Sequence, residues 1–290
     1  MNFNRKEIDY FLVFLSIFGG IMTLISLWFL TRLAIDGDFS FLPFLISNVI
    51  FLFFGVSVAY HRYFSHKSFK TSPLFEVFLI FSALYTQQGG IRRWIARHRQ
   101  HHRYSDTEKD PHYGKGSHFF LFIGNNYMRR PGMEDANAQK KFAADYENHK
   151  LINFCSTNLG QTLFLVLTWI TLLSLGGFKA LACYSVAWMY VYLSTTVLIN
   201  GVTHLHNPNK KPRKGFLSKL FYRNYDVSDN TQNSLLMWPL ILDDAFHHNH
   251  HRYPNSFRMK PYEIELWYPV FVVLEKLGLV WDLNRGDEAA

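Results

Sequence analysis

Hydrophobic and polar positions in this chain are sorted into blocks. Residues 10–31 carry no charged side chain. Twenty-two residues at about 1.5 Å each reach about 33 Å, enough to cross the hydrocarbon core of a bilayer. Arg32 closes the run, and Asp36-Gly37-Asp38 makes a short turn. Residues 41–60 are again uncharged and end at Tyr60-His61. These two runs predict an antiparallel hairpin of membrane helices. A polar block, 61–150, follows. Two more uncharged runs, 151–175 and 180–200, are joined by Gly176-Gly177-Phe178-Lys179, and a second polar block fills 201–290. The pattern predicts an all-α membrane protein with four transmembrane helices and one domain over 1–290, its helical cap built from the two polar blocks.

Two shorter apolar stretches sit inside the polar blocks. Residues 74–86 contain Glu76, and 264–281 contain Glu265, Pro269, Glu275 and Lys276. Both read as amphipathic helices, lying along the membrane surface or packed beneath it, or as ordinary buried helices of the cap.

Four crossings put both termini and both polar blocks on one side. Twenty-eight of the thirty Lys and Arg residues fall there, and only Arg32 and Lys179 lie opposite. The positive-inside rule makes the heavy side cytoplasmic. The net charge of +8 is thereby explained by topology and anionic headgroups, with no nucleic acid needed. The first run is too long for a cleavable signal peptide. Cys155 and Cys183 lie in apolar runs and read as small core residues.

The chemistry is concentrated in the histidines. His98, His101 and His102 are spaced H-x-x-H-H, and the spacing recurs at His247, His250 and His251. Offsets of three and four residues on a helix are about −60° and +40° from the first position, so three imidazoles project from one side. His61 and His66 form a looser pair. Five residues turn about 500° around an α-helix, which separates them by about 140° and predicts a helix ending between them. His204 follows Asn200 by four residues, on one helix face.

So many imidazoles turned inward would bury polar nitrogens at a cost unless something bound them. Imidazole suits zinc, iron, copper and nickel, and eight or nine rings are enough for two ions with open positions. The chain lacks H-E-x-x-H, which disfavours a zincin protease, and lacks the Glu-x-x-His pairs of soluble di-iron bundles.

The motifs His61-Arg-Tyr-Phe-Ser-His66, Trp94-x-x-x-His98-Arg-x-His101-His102-x-Tyr-Ser-Asp106, Asp110-Pro111-His112, Asn200-x-x-x-His204 and His247-x-x-His250-His251 resemble those of the integral-membrane fatty acid desaturases. The acyl-CoA delta-9, stearoyl-CoA-like branch is the nearest pattern, over about residues 40–270. The resemblance implies two irons held by His61, His66, His98, His101, His102, His204, His247, His250 and His251, with Asn200 reaching one iron through a water. The chain departs from that branch at His248, where Asn is usual, at Asp243-Asp244, where Gly-Glu is usual, and at Ala96-Arg97, which replace an Arg-Asp pair near the carrier's headgroup. The last departure leaves coenzyme A, a carrier protein or a membrane lipid open as acyl carrier.

No side-chain base removes hydrogen from an unactivated methylene at neutral pH. The resemblance therefore implies O2 as co-substrate, with a cis alkene and water as products. Asp106, Asp110 and Asp244 are candidates to accept from the outer N–H of ligating rings. Each could equally be a cap or a solvated charge. Trp94 is a candidate to line an acyl tunnel, or to anchor at the interface. The Phe-rich run 41–54 is expected to floor that tunnel, and Arg92, Arg93, Arg97 and Lys109 to meet a phosphate-bearing headgroup. The sequence has no His-Pro-Gly-Gly, Cys-x-x-Cys or G-x-G-x-x-G motif, so a separate haem-b cytochrome, ferredoxin or rubredoxin is expected as electron donor. The expected home is a bacterial inner membrane or the endoplasmic reticulum. Alternatives are an acyl-lipid desaturase, a membrane di-iron hydroxylase and, from a non-enzyme class, a divalent-metal transporter. The last is disfavoured because the four runs hold no Asp, Glu or His.

Overall fold

A computed structural model describes residues 10–113, 135–205, 215–216, 220–259 and 264–286. It is mostly helical, with four two-residue strands among the described residues. Helix α1 is Tyr10–Ile35, and α2 is Leu42–Phe53, opened by Pro43 in its first turn. Among the described residues, three helices are long and apolar enough to cross a membrane: Val13–Ile35, Leu42–Ser65 and Asn158–His204.

The second of these runs on past the expected end at residue 60. From Phe54 to Ser65 the backbone winds as a π-helix. The His66 N–H donates to the His61 carbonyl at 3.1 Å, a five-residue step. A π turn takes one residue more than an α turn, so positions five apart fall one above the other. The helix does end between His61 and His66, at Ser65 with His66 as its cap, but its last turns are widened, and that widening brings the two rings together. Gly55 lies on this segment where a Cβ would collide with the Ser82 carbonyl. The missing side chain lets this π segment press against α3, Pro73–Tyr85.

The third apolar stretch starts later than the expected residue 151. A short helix, here α6, covers Lys150–Cys155, and the Thr157 hydroxyl caps α7, Asn158–Leu193, by accepting from the Gly160 N–H at 3.0 Å. Gly176 and Gly177 depart from helical dihedrals, with φ +59° at Gly177. The chain folds back there. Phe18 stacks on Trp169 with centroids 5.4 Å apart, while the Trp188 ring lies against the neighbouring Gly19. Phe29, further along α1, meets Phe178 at 5.0 Å. Positions 169 and 188 thus lie level on α1, with the Gly-Gly turn beyond them. At that end Lys179 pairs with Asp38 at 2.8 Å. A second π segment, Ser194–Ile199, and a 3-10 turn, Val202–His204, carry the chain into the polar region.

The polar part is built from α4 (Ile91–Tyr104), α5 (Ala136–Phe142), α8 (His247–Arg252) and α9 (Trp267–Lys276). Helices α3 and α9 are two-faced: Leu79, Ile80 and Phe271 are buried, whereas Leu74, Phe78, Phe81, Val270 and Val273 are exposed. Strand Lys70–Thr71 pairs antiparallel with Val280–Trp281 beside them. Cys155 and Cys183 are buried free thiols.

Candidate metal centre

Nine imidazoles converge in two groups. His61, His66, His98, His102 and His250 form one, and His101, His204, His247 and His251 the other; within each, one ring nitrogen per residue lies within 4.8 Å of all the rest. Each H-x-x-H-H box is divided. On α4 the i and i+4 rings, His98 and His102, join the five-ring group, while His101 turns to the four-ring group. On α8 the i and i+4 rings, His247 and His251, join the four-ring group, while His250 crosses to the other. The spacing predicts one shared side, but only the docking of α4 against α8 decides the division.

The inward nitrogens are the Nε2 atoms. In the five-ring group Nε2 separations are 2.7 Å for His66 and His98, 2.8 Å for His61 and His250, 2.9 Å for His102 and His250, and 3.1 Å for His98 and His102. In the four-ring group they are 2.9 Å for His204 and His247 and 3.3 Å for His101 and His251. Two nitrogens bound at right angles to one ion, at about 2.1 Å each, lie about 3.0 Å apart.

Carboxylates orient the outer nitrogens. His101 Nδ1 donates to Asp110 at 2.9 Å, His204 Nδ1 to Asp106 at 3.1 Å, and His251 Nδ1 to Asp229 at 2.8 Å. His61 Nδ1 lies 3.4 Å from Asp244. A ring protonated at Nδ1 keeps a lone pair at Nε2. His101 and His251 therefore point two lone pairs at each other. A proton can bridge one such pair, but not four or five nitrogens at once. The residues fit a metal ion in each group.

Burial favours the neutral form. Desolvation, followed by the neighbouring imidazoles, pushes His98, His102, His247, His250 and His251 well below the ordinary histidine value. Asp106 and Asp244 are buried, which alone would raise them. Contact with His204 for the first, and with His61, Arg62 and Ser57 for the second, holds both below the carboxylate norm. Asp243 goes up, because burial outweighs Arg62 and the N–H groups of Leu266 and Trp267. Arg62 itself is fully buried, donating to the Ser57 and Phe257 carbonyls and 3.6 Å from Asp244.

A cavity of about 1500 Å³, mouth included, opens against both groups. His61, His98, His101 and His247 line one end together with Asn200 and Asp244; Leu15, Phe18, Met22, Trp169 and Trp188 line the other. Trp94 stacks on His98 and on Tyr60, each at 4.9 Å, and lines the wall. The expected floor is corrected. Within 41–54, Phe51 and Phe54 pack instead, tilted or edge-on, against Phe78, Tyr85 and Trp267, away from the cavity. Its apolar end comes from α1 and α7. Of the four basic candidates, Arg93 and Arg97 line the cavity. Arg92 donates to Asn153 at 3.1 Å, and Lys109 sits over the Tyr104 ring.

Sequence reasoning missed Asp229. It stands in a polar Asp226-Val-Ser-Asp-Asn stretch that reads as a solvated turn. His248 turns away from both groups: its Nδ1 meets the Thr231 hydroxyl at 3.1 Å, and its Nε2 meets the Tyr225 backbone.

The family model described as fatty acid desaturase matches residues 39–279. A stearoyl-lipid 9-desaturase acting at sn-1, from Anabaena variabilis, is 27% identical over 81% of this chain and 80% of its own length. Stearoyl-CoA desaturase 2 of Rattus norvegicus is 26% identical over 87% of this chain and 67% of its own. A hex-5-enoyl-(acyl-carrier protein) acetylenase from Moorena producens is 27% identical over 79% and 72%.

Proposed function

The chain belongs to the fatty acid desaturase family, and from that premise we propose that it is an O2-dependent di-iron desaturase placing a cis double bond in a saturated acyl chain, with a delta-9 acyl-CoA or acyl-lipid substrate. The observation that carries this reading is the convergence of nine rings into groups of five and four at one end of an apolar cavity. We further propose four crossings, the α7 arms counting as two, with the polar part and both termini cytoplasmic.

On this reading His61, His66, His98, His102 and His250 hold one iron. His101, His204, His247 and His251 hold the other, with Asn200 reaching it through a water. Bound iron supplies the oxidising power, drawn from dioxygen, that no side chain has toward a methylene. The chain's residues do the rest. Leu15, Phe18, Met22, Trp169 and Trp188 take the acyl tail out of water. Trp94, locked between Tyr60 and His98, holds the wall beside the reacting carbons. Asp106, Asp110, Asp229 and Asp244 fix the tautomers that aim Nε2 inward. Arg93 and Arg97, at the polar end beside His112, meet the anionic part of the carrier.

Expression in a desaturase-deficient host, with fatty acid profiling, tests the reading. New monoenes are expected, and the position of the double bond reports regiochemistry. A product that gains an oxygen instead of losing two hydrogens would make the chain a hydroxylase.

A further inference from the structure

We propose that an acidic one-electron carrier protein docks over a basic hollow beside His102, and that electrons enter the five-ring group through that ring. The proposal rests on the di-iron reading above. Four of the nine rings line the substrate cavity, and His102 is not among them. It lines a separate surface hollow with Arg99, Arg103, Lys141 and Phe142. Among the described residues, His102 is the one member of its group that is not fully buried. Its Nε2 nevertheless lies 3.1 Å from that of His98 and 2.9 Å from that of His250, and its ring is 4.4 Å from His251 of the other group. One side chain therefore links the protein surface to both groups without crossing the acyl site.

The surroundings fix the partner's sign. Arg103, Lys109, Lys140 and Lys141 are exposed here. The nearby acid Asp145 is already held by Arg99 at 2.8 Å and by Lys67 at 2.6 Å, and exposed Glu108 adds one negative charge next to Lys109 in the sequence. The excess is positive, so an acidic surface is steered toward it. A flat protein face suits an open hollow, and Phe142 gives its floor an apolar contact. The electron balance requires such a donor. Dioxygen takes four electrons and four protons to become two waters. The acyl chain gives two of each when its two C–H bonds break and the second C–C bond forms. The carrier gives the other two electrons, one per encounter, and solvent gives two protons.

The test uses the full iron-loaded chain in detergent and a reduced acidic plant-type ferredoxin, followed by stopped-flow absorbance. Wild-type reduction is expected to slow steeply as salt rises. Arg103→Glu with Lys141→Glu is expected to slow it at least about tenfold at low salt. Reduction by dithionite, and iron content, are expected to stay unchanged in that variant. Arg103→Gln with Lys141→Gln is expected to fall between the two. A salt-independent wild-type rate, or a charge-reversed variant reduced as fast as wild type, would overturn the docking face. So would a variant that lost only its association with anionic vesicles. Failure of the di-iron reading would look different: wild type would hold no iron that dithionite reduces.

Discussion

The two histidine groups differ in how rings and charge are shared out. Among the described residues, the five-ring group has a single carboxylate on its outer nitrogens, Asp244, and buried Arg62 stands 3.6 Å from it. The four-ring group has three, Asp106, Asp110 and Asp229. Where one ring fewer is available, more of the remaining rings are oriented and made more basic by a carboxylate. The five-ring group relies on number instead; each group keeps one buried Nδ1 with no partner among the described residues, that of His250 in the first and that of His247 in the second. On the proposed reading, one ion is held by ligand count and the other by ligand basicity. Their responses to substitution should therefore diverge.

Removing a ring is the largest perturbation. His98→Ala is expected to abolish new monoenes and to leave about one iron per chain, because it strips the five-ring group alone. His101→Ala is expected to do the same to the other group. Metal analysis beside fatty acid profiling checks both. Full activity in His98→Ala would end the ligand assignment.

Removing a carboxylate comes next and breaks the symmetry. Asp110→Asn leaves His101 without its anionic partner and is expected to cost about 10–100-fold in iron affinity or turnover. Asp244→Asn is expected to cost stability as well, since it leaves Arg62 buried with one acid fewer, and such losses run to about 3–5 kcal/mol. Chelator competition and thermal unfolding separate the two effects. Equal behaviour of the two variants would mean that the division of charge between the groups is incidental.

Both H-x-x-H-H boxes were legible because a helix repeats every 3.6 residues, so three inward rings at offsets of three and four need no tertiary knowledge. Their division between two groups was not, because it depends on α4 meeting α8 across nearly 150 residues. The π segment escaped for a related reason: an α period places His61 and His66 apart, and nothing local to Phe54–Ser65 announces the extra residue per turn. The Gly176-Gly177 break was plain. The start of α7 was not, since Asn153, Ser156 and Thr157 are uncharged and let the run read through a cap and a turn.

Acid separates the groups less sharply, in two windows. His98, His102, His247, His250 and His251 have folded values below the unfolded 6.5. As pH falls through 6.5 the unfolded chain takes up protons that the folded chain refuses, so stability declines on acidification. Asp106 and Asp244 lie below their unfolded value of 3.8, so their contribution is present above it and disappears only at still lower pH. Unfolding midpoints of metal-depleted protein are expected to fall first below about pH 6.5 and again below about pH 4. A flat profile between pH 7 and 5 would contradict the burial of the neutral rings.

The smallest effect falls on the histidine that looks most like a ligand and touches neither group. His248 stands inside the second box, next to His247, and is fully buried. One residue along α8 turns about 100°, which takes its ring off the shared face. Thr231 and Tyr225 bind it there, so it ties α8 to the loop that also carries Asp229. His248→Asn keeps a polar side chain but has too little reach for both contacts. Losing one hydrogen bond costs about 1 kcal/mol, or about 2–4 °C in midpoint for a chain of this size. Iron content and the rate well below the midpoint are expected to match wild type. His250→Ala, two positions along the same short helix, is expected to release an ion. If His248→Asn released one too, the loop would be setting the ligands rather than merely backing them, and the contrast between the faces of α8 would not hold.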